Sequence, residues 1–103
     1  MTGISELAGM FKEEGPRIFA ALRRAIERTE SDALRRAAHE LKGACAHFGA
    51  HRLYDLCQTL ESLGRASELT AASEMLPALL AEHERVVAAL DQRSLLQALP
   101  ATV

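Results

Sequence analysis

The sequence predicts an all-α fold, an antiparallel up-down four-helix bundle with a short additional N-terminal helix. Three observations predict it. Apolar residues recur at helical spacing along nearly the whole chain, Ala and Leu dominate while Trp is absent, and the periodic stretches are separated by short connections. With 103 residues, 49% hydrophobic and 25% charged, the chain suits one domain with an aliphatic core packed between helices.

Ile4, Leu7, Ala8 and Phe11 carry the i, i+3, i+4, i+7 spacing of a helix that stops near Gly15–Pro16. Pro16 suits the first position of a new helix, in which Ile18, Phe19, Leu22, Ala25 and Ile26 form an inward stripe up to about Thr29. Ser31 or Asp32 is the expected N-cap of the next helix, whose stripe is Leu34, Ala37, Leu41, Cys45 and Phe48 and whose stop is Gly49. A further helix holds Leu53, Leu56, Cys57, Leu60 and Leu63, with Gly64 as its stop, and should pair with its predecessor as a tight antiparallel hairpin. The last begins near Ser67 and repeats apolar positions from Leu69 to Leu90, with Pro77 placed to bend or split it. Residues 1–93 form the bundle domain, and residues 94–103 a tail or fraying helix end.

Several function classes are excluded by composition. The net charge is −2, and the pairs Arg23–Arg24 and Arg35–Arg36 are interleaved with acids, so the basic stripe that nucleic acid requires is missing. No stretch approaches 18 uncharged apolar residues, and the first ten residues lack a basic region followed by an apolar run, so neither membrane spanning nor secretion is expected. Cys45 and Cys57 both fall in apolar helical stripes, which suits small buried hydrophobes in a reducing cytoplasm. His47 and His51 are four apart, but Gly49 between them breaks the helix that would align them, so no metal site is expected. His83 lies on the inward stripe of the last helix and reads as a hydrogen-bonded core or boundary residue.

Residues 38–50, AHELKGACAHFGA, place a histidine where the packing pattern does not ask for one. At about 100° per residue, His39 falls roughly 150° from the Leu34–Leu41–Phe48 stripe and should face solvent. Arg35, Lys42, Gly43 and Ala46 share its face at i−4, i+3, i+4 and i+7. Gly43 in mid-helix costs about 0.5–1 kcal/mol relative to Ala, and close approach of another molecule would account for it. A neutral imidazole with an open line of approach and a cation one turn away fits nucleophilic attack on a phosphoryl centre, with Lys42 countering charge on the equatorial oxygens. Gly43 and Ala46 would clear a surface on which a partner docks, and Arg35 and Arg36 are candidates for orienting an acidic partner. No paired carboxylates accompany this face, so any Mg²⁺ assisting transfer would be brought by the partner, and no cofactor of the chain's own is expected.

His39-Glu40-Leu41-Lys42-Gly43, then Phe48-Gly49-Ala50, then Leu53 and Cys57 through Leu60-Glu61, resembles the histidine-containing phosphotransfer (HPt) domain over nearly the whole chain. The resemblance implies a four-helix bundle that accepts a phosphoryl group from a receiver aspartate or a histidine kinase and passes it to a response-regulator receiver aspartate. It implies a monomeric carrier with no ATP site or kinase activity. His39 would be the phosphoacceptor through Nε2, with Lys42 beside the phosphoryl group and Gly43 giving access. In chemotaxis-kinase relatives a glutamate on the next helix hydrogen-bonds the other imidazole nitrogen; the matching position is Glu61, with Gln58 one turn earlier. Glu40 departs from the family, which often has a small or hydroxyl residue there.

Two other readings stand beside this one. The phosphoacceptor hairpin of a histidine kinase also begins His-Glu-Leu-Lys, but continues with Thr or Asn and then Pro where this chain has Gly43 and Ala44, and it is an obligate dimer. A non-catalytic adaptor bundle would have the fold and take up no phosphoryl group.

Overall fold

The computed structural model describes residues 4–46 and 50–98, with side chains over 12–46 and 50–92. Four helices follow one another: α1 Ile4–Glu27, α2 Ser31–Ala46, α3 His51–Arg65 and α4 Leu69–Ala98. No strand occurs among the described residues. Helix α1 packs against α2 and α4, and α3 packs against the same two, so the four enclose one core. Ile18, Phe19 and Leu22 meet Leu34, Leu41 and Cys45, Leu53, Cys57 and Leu60, and Ala72, Leu79 and Leu90 there, all buried at the helical spacing of their own elements.

The short additional N-terminal helix expected before Pro16 is not a separate element. Helix α1 runs through Gly15 and Pro16 without interruption. Pro16 is exposed, so its ring stands in solvent, and burial of Ile18, Phe19 and Leu22 just beyond it offsets the hydrogen bond that a proline withholds. Gly15 has a packing reason of its own. It is buried, and a Cβ at this position would run into Nε2 and Cε1 of His83 on α4. Pro77 is likewise exposed and helix α4 continues past it, so it does not split the helix. Helix α4 extends to Ala98, into the stretch 94–103 expected as a tail or fraying helix end.

The connections are brief. Thr29 (φ 53°) and Ser67 (φ 56°) take left-handed conformations in the α1–α2 and α3–α4 turns. The amide of Glu30 donates to the Ala25 carbonyl, and that of Glu68 to the Leu63 carbonyl, satisfying the ends of α1 and α3. Ser31 is the first helical residue of α2, and Asp32 lies in its first turn. Gly64 sits inside the last turn of α3, not past its end, and a Cβ there would come 2.9 Å from the Arg35 amide nitrogen and 3.1 Å from its Cα. The missing side chain therefore lets the backbones of α2 and α3 approach. Phe48 and Gly49, expected as the last core residue and stop of the third stripe, lie outside the described residues, as does His47.

Candidate functional site

The site lies across the α2–α3 pair. Gly64 lies against Arg35 and Glu61 against His39 and Lys42, so residue numbers rise on one helix as they fall on the other. Leu34, Ala37, Ala38, Leu41 and Cys45 turn inward from α2, which leaves His39 outward with 65% of its side chain exposed.

Glu61 is the fixed point of the arrangement. Its side chain is 4% exposed, a carboxylate sunk between two helices, and three donors surround it. The Lys42 ammonium donates to Oε1 at 2.7 Å, His39 Nδ1 lies 2.9 Å from Oε2, and Arg65 Nη2 donates to Oε2 at 3.3 Å. The Lys42 ammonium, and to a smaller extent the His39 ring, hold the Glu61 carboxyl below its usual range against the opposing effect of burial. Because an ionised carboxylate can only accept, its bond with His39 favours the tautomer with the proton on Nδ1. The Nε2 lone pair then points away from the carboxylate.

Lys42 is 19% exposed, and its ammonium stands 5.8 Å from the centre of the Tyr54 ring as well as on Glu61. Its charge is thus held within one turn of His39. Gly43 is exposed, and a Cβ there would meet nothing within 4 Å, so no contact inside the chain calls for glycine. Together with exposed Ala46 it leaves the face beyond His39 low and open.

The remaining expected residues stand apart from this cluster. Arg35 donates to Asp32 Oδ1 from Nε at 3.1 Å and Nη2 at 2.9 Å, and Arg36 pairs with Asp32 Oδ2 at 3.2 Å. These bonds depress the Asp32 carboxyl and tie both arginines to the first turn of α2. Gln58 is exposed on α3 with no hydrogen bond to His39 described. Glu40 points toward α1, where its carboxylate accepts from Arg17 Nη2, so it takes part in helix pairing and not in the His39 cluster. Arg65 and Tyr54 were not anticipated. Arg65 is four residues after Glu61, the spacing that brings helical side chains together, and this was its available signal; Tyr54 had none beyond helical proximity.

Cys45 and Cys57 are buried free thiols, and the hydrogen bond to Cys45 together with burial pushes the Cys57 thiol up, away from nucleophilic use. Among the described residues no group of three or more His, Cys, Asp or Glu is disposed to hold a metal ion, and no helix is long and apolar enough to cross a membrane. What the cluster offers is an outward imidazole nitrogen with its ring proton held on the opposite side and a cation alongside. The family model for the Hpt domain matches residues 6–89 of the chain. No curated protein and no solved structure matches it.

Proposed function

This chain belongs to the Hpt domain family, whose members carry phosphoryl groups in two-component signalling, and from that premise we propose that His39 is its phosphoacceptor. The observation that carries the assignment is the 2.9 Å contact of His39 Nδ1 with the buried Glu61 carboxylate, which turns Nε2 outward as the nucleophile. Nε2 attacks the phosphorus of a receiver's aspartyl phosphate. The N–P bond forms as the P–O bond to the aspartate breaks, and the free carboxylate leaves with the electron pair. Passage to a second receiver reverses the roles.

Lys42 swings from Glu61 Oε1 toward the phosphoryl oxygens as their charge develops, and Gly43 and Ala46 admit the receiver surface. Arg35 and Arg36 stand where they would orient an acidic receiver surface, and Gln58, one turn before Glu61, is a second candidate support for the imidazole. The one carboxylate beside His39 already accepts from three donors, so the Mg²⁺ of the reaction belongs to the receiver. The working unit is an antiparallel up-down bundle over residues 1–93, acting in the cytoplasm as a carrier without a nucleotide site.

The test is incubation with a receiver phosphorylated on aspartate and Mg²⁺. Wild type is expected to take up acid-labile phosphate, and His39→Gln none. Absence of uptake from every receiver of the source organism would leave the adaptor reading in its place.

A further inference from the structure

The chain has two cysteines, Cys45 and Cys57, and the phosphotransfer proposed above uses neither. The fold nevertheless brings them together. Helices α2 and α3 run antiparallel, with Gly64 against Arg35 and Glu61 against Lys42, and the next step of the same register sets Cys57 level with Cys45. Both are fully buried on the core faces of their helices, and their thiols hydrogen-bond to one another. Thiols in that relation already have their Cβ–Sγ bonds directed at each other, the condition for bridging two helices without moving their backbones.

A small oxidant has a way in. A cavity of about 200 Å³ between the end of α2 and the start of α3 is lined by Cys45, Ala46, Ala50, His51 and Tyr54, and not by Cys57. A molecule little larger than water, whose share of liquid volume is about 30 Å³, has ample room there. The two thiols also differ. Their shared hydrogen bond lowers the Cys45 thiol, and that bond together with burial raises Cys57, so the sulfur that lines the cavity is the one that ionises first. We propose that Cys45 and Cys57 are a peroxide-reactive dithiol that closes to an intramolecular disulfide between α2 and α3.

Hydrogen peroxide is the oxidant. The Cys45 thiolate attacks one peroxide oxygen, an S–O bond forms as the O–O bond breaks, and the departing hydroxide takes up the proton released by Cys45 to become water. The Cys57 sulfur then attacks the sulfur of the Cys45 sulfenic acid. The S–S bond forms as the S–O bond breaks, and hydroxide leaves with the Cys57 proton as a second water. Two thiols and one peroxide thus give one disulfide and two waters, the sulfurs losing the two electrons that the peroxide gains. In a reducing compartment the pair rests as the dithiol and the bridge is transient. It closes one turn from the Lys42–Glu61 contact, in the helix pair that carries His39.

The test is treatment of the folded, reduced wild type with hydrogen peroxide, followed by intact-mass spectrometry and tryptic digestion without reductant. The chain is expected to lose the mass of two hydrogens, to regain it with dithiothreitol, and to yield peptides 43–52 and 53–65 joined to each other. Two variants check the order of attack with a cyclic 1,3-diketone that traps sulfenic acid. Cys57→Ala should be trapped at Cys45 at least about 10-fold more than Cys45→Ala is at Cys57. The wild-type digest decides the matter even if a variant folds poorly. Thiols that stay free, bridges between chains only, passage to sulfinic acid without a bridge, a bridge that forms only once urea has unfolded the protein, or trapping in the reverse order would each overturn the proposal. None of these outcomes depends on whether His39 accepts phosphate.

Discussion

At the scale of single residues, Glu61 divides its two oxygens between the His39 imidazole and the Lys42 ammonium, so its variants should separate orientation from charge. Glu61→Gln keeps an acceptor for His39 but loses the negative charge, and Glu61→Ala loses both. Rapid-quench phosphotransfer should slow about 10-fold in Glu61→Ala and less in Glu61→Gln. Equal rates in all three proteins would remove Glu61 from the mechanism. Lys42→Ala should slow transfer and, by leaving Glu61 Oε1 short of its closest donor, cost about 1 kcal/mol in denaturant unfolding, with Lys42→Arg recovering part of both. His39 and Lys42 were legible from the sequence because helical periodicity separates an outer face from a core stripe, and Glu61 entered through the family resemblance. Arg65 escaped because an arginine near a helix end is ordinarily a solvated charge. Gln58, one turn before Glu61, is exposed on α3 and makes no described hydrogen bond to His39.

At the scale of the helices, Gly43 faces open space and Gly15 faces a neighbouring side chain, so alanine substitution should give opposite outcomes at the two. Gly43→Ala should stabilise the protein by about 0.5–1 kcal/mol, because its Cβ enters open space on an exposed helix face. Gly15→Ala should destabilise by about 1–3 kcal/mol through its clash with His83, and His83→Ala should relieve much of that cost in the double variant. Thermal or urea unfolding of the four proteins checks both. Gly43→Leu should likewise spare the helix while slowing transfer, since its bulk falls where a receiver would dock. The Gly15–Pro16 dipeptide is the instructive misreading at this scale. Local chemistry there spells a helix stop, but a buried glycine against α4 and an exposed proline are both compatible with continuous helix when the next turn buries Ile18 and Phe19. Gly64 was similarly read as punctuation. Sequence pattern locates a glycine without saying whether its backbone or its emptiness is being used.

For the molecule as a whole, the core stripes and the outward histidine face follow from periodicity, whereas the helix count is overestimated by one at Gly15–Pro16 and which helices lie side by side depends on contacts distant in sequence. Those contacts also set its response to acid. Burial holds the His83 imidazole below its ordinary value of 6.5, the neighbouring Glu84 opposing, so the neutral ring belongs to the folded state and the unfolded chain binds the proton first. Stability should therefore fall as pH drops below about 6.5. A second loss should begin below about 4.5, as the depressed Glu61 and Glu82 carboxylates are forced to protonate and leave Lys42 and Arg85 without their partners. Melting temperatures recorded from pH 8 to pH 3 should show both stages, with the first absent in His83→Phe. The close approach of α2 and α3 at Gly64 carries a further consequence. Gly64 meets Arg35 one helical turn from the place where Glu61 meets His39, so the missing side chain at residue 64 sets the helix spacing on which the His39–Glu61 contact depends. Thickening that point by one methyl would act as a wedge, so Gly64→Ala is expected to lengthen the 2.9 Å contact on the neighbouring turn.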